Sequence, residues 1–125
     1  MSKIYRLGYA RVSTLQQDEA LQHDALRQAG CDRVFVDKAS GKLESRPALD
    51  DLLDRARPGD TVVVWRLDRL GRSLRHLLEV VSELERRGVA FQSLTEAIDT
   101  STPGGRLVFH VFASLAQFEK ELQMS

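Results

Sequence analysis

Alternating strand-like runs and amphipathic helical segments predict an α/β protein. The expected form is a three-layer sandwich with a central, mainly parallel (mixed) β-sheet of four to five strands flanked by helices. Three observations carry this. Runs rich in strand formers at Ile4–Val12, Val34–Val36, Thr61–Trp65 and Val89–Leu94 are separated by stretches whose apolar residues recur every three or four positions. Thr61-Val62-Val63-Val64-Trp65 is continuously apolar, the pattern of a strand covered on both faces. The helical stretches open at Pro47 and Pro103 and stop at Gly30 and Gly88, the positions those residues favour.

In chain order, Ile4 to Val12 is the first strand. A first helix runs from about Leu15 to Ala29, with Leu15, Leu21, Ala25, Leu26 and Ala29 as its inward stripe. Val34-Phe35-Val36 is a short second strand. Asp37 to Arg46 mixes glycine, serine and charge, and reads as a loop. The second helix buries Ala48, Leu49, Leu52, Leu53 and Ala56, and Pro58-Gly59-Asp60 turns the chain into the third strand. The third helix spans about Leu74 to Arg87 with Leu74, Leu77, Leu78, Val81 and Leu84 inward, and Val89 to Leu94 is the fourth strand. Thr102 is the expected cap of the last helix. Its stripe of Leu107, Val108, Val111, Phe112, Leu115 and Phe118 is wide, and no stop signal follows it. The chain is therefore expected to end inside a longer helix.

A length of 125 residues, 42% hydrophobic and 29% charged, suits one soluble domain. Lys+Arg and Asp+Glu both number 18, so the net charge is zero and gives no support for tight autonomous binding to a duplex. Cys31 is the single cysteine; no internal disulfide is possible, and a small buried hydrophobe in a reducing compartment is its ordinary role. No apolar run approaches the roughly 18 residues of a membrane span. The amino terminus lacks a signal-peptide core. Both point to the cytoplasm.

In parallel sheets, ligands bind beyond the carboxyl ends of the strands. Arg11 and Ser13 follow the first strand, Asp37 the second, and Asp68, Arg69 and Arg72 the third. A hydroxyl nucleophile with several guanidinium groups suits phosphoryl transfer, because the planar fork donates two parallel charge-assisted hydrogen bonds to phosphate. His23, His76 and His110 are scattered, Gly-x-Ser-x-Gly is absent, and so is the phosphate-cradling glycine loop ending in Lys-Ser/Thr. No metal-ligand constellation is visible. Other readings of the same residues stay open. Ser13 or Thr14 serves equally as a helix cap with Gln16 or Gln17 reaching back, and Asp68 and Arg69 equally form a solvated ion pair.

Tyr9-Ala10-Arg11-Val12-Ser13-Thr14, Asp37-Lys38-Ala39-Ser40-Gly41, Leu67-Asp68-Arg69-Leu70-Gly71-Arg72 and Ala113-Ser114-Leu115-Ala116-Gln117-Phe118-Glu119 together resemble the resolvase/invertase family of serine recombinases. The likeness spans nearly the whole chain, in order. It implies a resolvase-like catalytic domain over residues 1–125, ending in a truncated dimerisation helix, with the carboxyl-terminal DNA-binding domain absent. It implies that Ser13 attacks a phosphodiester of double-stranded DNA to give a 5′-phosphoserine, with strand exchange and religation needing no metal, ATP or other cofactor. Arg11, Arg69 and Arg72 would hold the phosphate. Asp68 would orient them or move a proton. Arg46 matches a further active-site arginine, Gln17 and Gln22 match supporting polar positions, and Asp37 is a weaker candidate. The full-length protein would act as a homodimer and synaptic homotetramer through Leu107, Val108, Val111, Phe112, Leu115 and Phe118.

One departure is Lys120, where the family usually has arginine; lysine keeps the charge and loses the fork. Two further classes fit the same residues: a phosphoserine-type phosphoesterase or nuclease, and a non-catalytic DNA-associated regulatory module. Neither the target site nor the outcome (resolution, inversion, transposition or integration) is legible.

Overall fold

The computed structural model describes residues 4–12, 16–38, 46–67 and 74–124. The elements are β1 (Arg6–Val12), α1 (Gln16–Gln28), β2 (Arg33–Lys38), α2 (Pro47–Arg55), β3 (Thr61–Val64), α3 (Leu74–Arg86), β4 (Ala90–Ser93), β5 (Ile98–Asp99) and α4 (Pro103–Met124). They build a five-stranded sheet in the order β2-β1-β3-β4-β5. β1 pairs in parallel with β2 and β3, β3 in parallel with β4, and β5 antiparallel with β4.

Strand alternation divides the core in two. Leu7 and Tyr9 of β1, Phe35 of β2, Val62 and Val64 of β3 and Phe91 of β4 share one face with Leu49 and Leu52 of α2 and Leu77, Val81 and Leu84 of α3. Ala10, Val12 and Val63 face the other way, onto Leu26 of α1, with Val34, Val36 and Cys31 around them. This is the three-layer sandwich expected from the sequence. Gly8 lies on that second face because space is short: a Cβ there would stand 3.1 Å from the Cys31 sulfur.

Two helix ends follow one rule. After α1, Gly30 N–H donates to Arg27 O at 3.0 Å and Cys31 N–H to Leu26 O at 3.2 Å. After α3, Gly88 N–H donates to Glu85 O at 3.0 Å and Val89 N–H to Leu84 O at 2.9 Å. Each glycine takes a positive φ, 81° and 76°. In each case the next residue packs back against the last buried leucine, which is the hydrophobic half of a Schellman cap.

Some boundaries differ from the sequence reading. Strand two continues through Asp37 and Lys38, because β1 extends to Val12 and pairs Arg11 with Asp37 and Val12 with Lys38. Asp37 is thus a strand residue and not the start of a loop. β1 starts at Arg6, leaving Ile4 and Tyr5 exposed. On α1 the inward stripe is offset: Leu21 is 55% exposed while Gln22 is fully buried. Gln22, Leu26 and Ala29 lie at i, i+4 and i+7, and Leu21 sits about 100° round from that line. β5, with only two residues, was too short for any periodicity to reveal.

The last helix starts where Thr102 predicts. Thr102 Oγ1 accepts from Gly105 N–H at 3.0 Å and donates to Asp99 O at 2.9 Å. Gly105 rests directly on β5: a Cβ there would fall 1.7 Å from the Asp99 carbonyl oxygen. Phe109, outside the predicted stripe, is the residue that enters the core, at 3% exposure. Leu107, Val108, Val111, Leu115 and Phe118 are 43–66% exposed in the single chain. No helix among the described residues is long and apolar enough to cross a membrane.

Candidate active site

The carboxyl ends of β1, β2 and β3 lie side by side in the sheet. Odd-numbered residues of β1 point towards α2 and α3, so Arg11 projects on the Tyr9 face, and its register partner is Asp37. Asp37 is buried at 7% exposure. Its Oδ2 accepts from the Tyr9 hydroxyl at 2.8 Å and from Leu49 N–H at 3.0 Å, and its Oδ1 accepts from Ala48 N–H at 2.8 Å. A carboxylate on β2 therefore caps α2. The residue at the cap position, Arg46, makes no side-chain cap bond of its own. Negative charge at a helix amino terminus is favourable because the first amides lack intrahelical partners.

Burial raises the Tyr9 pKa far above the usual phenol value, and the hydrogen bond to Asp37 and its charge add to this. The Arg46 and Arg11 guanidinium charges act in the opposite direction. Both cations thus lie close enough to be felt at the Tyr9–Asp37 pair. Arg46 is buried and Arg11 half-buried. Buried Gln22 donates from Nε2 to the Arg11 carbonyl oxygen at 3.0 Å. This ties α1 to the end of β1, two residues before Ser13.

The β3 exit is held differently. Thr95 N–H donates to Trp65 O at 2.9 Å, and the Arg66 guanidinium stacks 4.7 Å from the centre of the Trp65 ring. Leu67 N–H donates to the Glu96 carboxylate at 3.2 Å.

Of the residues singled out in the sequence, Arg11, Gln22, Asp37 and Arg46 are brought together at this edge. Ser13, Asp68, Arg69 and Arg72 lie outside the described residues, as do the side chains of Gln17, Phe112 and Lys120. Tyr9 and Glu96 received no role in the sequence reading. Tyr9 was within reach of it, since period-two alternation sets it beside Arg11. Glu96 carried no local signal, because its role depends on a tertiary turn. No His/Cys/Asp/Glu group among the described residues is suited to hold a metal.

The family model for the resolvase N-terminal domain matches residues 6–124. A DNA-invertase of Escherichia phage P1 is 58% identical over 116 residues, covering 93% of this chain and 62% of the relative. The serine recombinase gin of Escherichia phage Mu is 54% identical over 116 residues, covering 93% of this chain and 60% of that protein. The chain thus spans about three-fifths of the length of these relatives. Among solved structures, the N-terminal catalytic domain of TP901-1 integrase matches with a TM-score of 0.77 at 34% identity, covering 94% of this chain and 97% of that one. With the domain model matching almost the whole of this chain and relatives above half identity, the chain belongs to the resolvase/invertase family of serine recombinases.

Proposed function

We propose that the chain is the catalytic domain of a site-specific DNA recombinase that cuts and rejoins double-stranded DNA through Ser13. The observation that carries this reading is the site at the carboxyl edge of the sheet. There, at the end of the strand leading into Ser13, Arg11 is the register partner of Asp37, Asp37 joins Tyr9 to the start of α2, and Arg46 stands at the cap position of that helix. The chain is 58% identical over 116 residues to a DNA-invertase.

In the proposed reaction the Ser13 oxygen forms a bond to phosphorus and the P–O3′ bond breaks. The 3′ oxygen takes a proton and leaves as a hydroxyl. Arg11, Arg69, Arg72 and Arg46 neutralise the nonbridging oxygens as charge shifts, and Asp68 orients the guanidinium groups or passes the proton. Gln22 fixes the Arg11 backbone, and Gln17 is assigned a similar supporting role. The phosphodiester energy stays in the phosphoserine link, so a 3′-hydroxyl from another duplex end reverses the step and reseals the strand. No cofactor enters that balance.

Partner subunits are assigned to α4. Its exposed Leu107, Val108, Val111, Leu115 and Phe118 form an apolar stripe of the kind that marks an interface, and Phe112 is assigned to the same stripe. The full-length protein is proposed to act in the cytoplasm as a dimer that pairs into a tetramer, with much of its site recognition outside this chain.

The test is a trapping experiment. Full-length protein is incubated without metal on a supercoiled plasmid carrying a site selected by binding from a random-sequence duplex library, then quenched with detergent. Covalent adducts on 5′ ends, abolished by Ser13→Ala, are expected. Cleavage that requires a divalent metal and survives Ser13→Ala overturns the reading in favour of a nuclease. Site binding without adducts overturns it in favour of a regulatory module.

A further inference from the structure

We propose that Glu96 is a positioning residue for the arginine-bearing segment that follows β3. The inference rests on the recombinase reading and extends it to a residue outside the strand-end cluster.

Past the ends of β3 and β4 the sheet ladder continues for two rungs. Leu94 N–H donates to Val64 O at 3.0 Å, and Thr95 N–H to Trp65 O at 2.9 Å. The next rung uses a side chain in place of backbone. The Glu96 carboxylate accepts from Leu67 N–H, at 3.2 Å through Oε1 and 3.4 Å through Oε2, and it also accepts from the Ser93 hydroxyl. Ser93 is fully buried on β4. Oε1 thus accepts from both the sheet, through Ser93, and the chain leaving β3, through Leu67, and the carboxylate bridges the two.

The turn that aims Glu96 is itself constrained. The next residue, Ala97, has φ 55°, and is the one non-glycine residue with positive φ among those described. Left-handed backbone disfavours a residue bearing a Cβ, and such conformations persist only where surrounding contacts hold them. Ile98 then re-enters the sheet as β5 and is buried. On the other side, Leu67 packs its side chain against the core cluster that contains Leu77 and Val64. Leu67 is thus held at both its side chain and its amide, and Asp68, Arg69 and Arg72 begin at the next residue.

Phosphoryl transfer rests on where the guanidinium groups stand, and a displacement of about 1 Å costs on the order of a hundredfold in rate. A fixed origin for the segment is therefore a catalytic asset. An exposed turn glutamate with no partner beyond its own loop offers none. The Glu96 bridge spans 29 residues of sequence, from one strand exit to the next turn.

Full-length wild type, Glu96→Ala, Glu96→Gln and Ser13→Ala are compared on the library-selected plasmid site. The measurements are the initial rate of adduct formation, site affinity by gel shift, thermal midpoint, and hydrogen exchange of the Leu67 amide. Glu96→Ala is expected to slow adduct formation at least about tenfold with site affinity held within about twofold, a split that a purely structural loss does not produce. The Leu67 amide should exchange faster. Glu96→Gln retains an acceptor oxygen for Leu67 and should recover much of the rate. A folded Glu96→Ala protein that forms adducts at the wild-type rate overturns the role of Glu96. A rate loss that only tracks the unfolded fraction and is not rescued by Gln also overturns it. Absence of Ser13-dependent adducts in the wild type is a separate result, which overturns the recombinase reading on which the role depends.

Discussion

Replacing Asp37 with Asn tests the framework of the proposed site with little change in volume. The carboxylate accepts from three donors: the Tyr9 hydroxyl, Ala48 N–H and Leu49 N–H. An amide has a single acceptor oxygen. If that oxygen faces Tyr9 and Leu49, the NH2 group is turned on the Ala48 amide, donor against donor. A lost hydrogen bond to a charged group costs about 2 kcal/mol. Removing the negative charge from the amino end of α2 adds up to about 1 kcal/mol. The sum, about 3 kcal/mol, corresponds to a drop in Tm of about 12 °C for a domain of this size. Tyr9→Phe removes one donor and leaves the carboxylate and its charge with both amides, so it should cost about 2 kcal/mol, about 1 kcal/mol less than Asp37→Asn. Urea denaturation followed by far-UV circular dichroism, with unchanged slopes, measures both. The capping argument is wrong if Asp37→Asn lies within about 0.5 kcal/mol of wild type, or if Tyr9→Phe costs as much as Asp37→Asn.

Neighbouring glycines at the start of α4 should respond with opposite signs. Nothing lies within 4 Å of a Cβ built on Gly104, so Gly104→Ala should stabilise by about 0.5 kcal/mol. Gly105→Ala meets the Asp99 carbonyl at 1.7 Å and should cost more than about 2 kcal/mol or loosen α4 from β5; paired denaturation curves separate the two. At Ala97, with φ 55°, substitution by Gly should raise stability by about 0.5–1 kcal/mol, and a loss would show that the turn is not strained. Burial pushes the Cys31 thiol up to about 11 from an ordinary 9.0. Above pH 9 the unfolded thiol ionises while the folded one keeps its proton, so the folded state binds more protons and stability falls as pH rises towards 11. Cys31→Ala should flatten the stability–pH curve between those values, and an unchanged slope would show that the thiol does not contribute to it.

Strand–helix alternation, the glycine stops and the Thr102 cap were legible because each is written in local sequence. The reading failed where tertiary contact overrides local pattern. Asp37 sits among residues that look like loop, and it became strand only because β1 extends far enough to pair with it. Leu21 looked inward on composition, yet Gln22 holds the buried position because its amide has a backbone partner in Arg11 O. Phe109 was passed over beside a more conspicuous stripe. At the site, Arg11, Arg46 and Gln22 could be named from the sequence by family resemblance. Tyr9 and Glu96 could not be given roles, since a phenol facing a carboxylate and a turn clamping a strand exit are properties of the folded chain.

A net charge of zero says little about the field at the carboxyl edge of the sheet. Several acids are occupied with backbone amides at the opposite edge. Asp32 accepts from Arg6 N–H at 2.8 Å, and Asp60 accepts from Tyr5 N–H and Arg57 N–H, each at 3.0 Å. Arg11 lies five residues further along β1 than Arg6, about 16 Å at strand rise. That exceeds the Debye length of about 8 Å at physiological salt, so these carboxylates do little to offset the Arg11 charge. Asp60→Asn should therefore cost stability, about 1–2 kcal/mol for its buried amide contacts. It should leave the salt dependence of site binding by the full-length protein unchanged. Titrating affinity against salt decides the matter. A slope of log K on log salt that changes by about one unit in Asp60→Asn would place that carboxylate within the DNA field and refute the separation. An unchanged slope with lowered stability would show that the Asp60 carboxylate serves to close the fold at the amino edge of the sheet, out of range of Arg11.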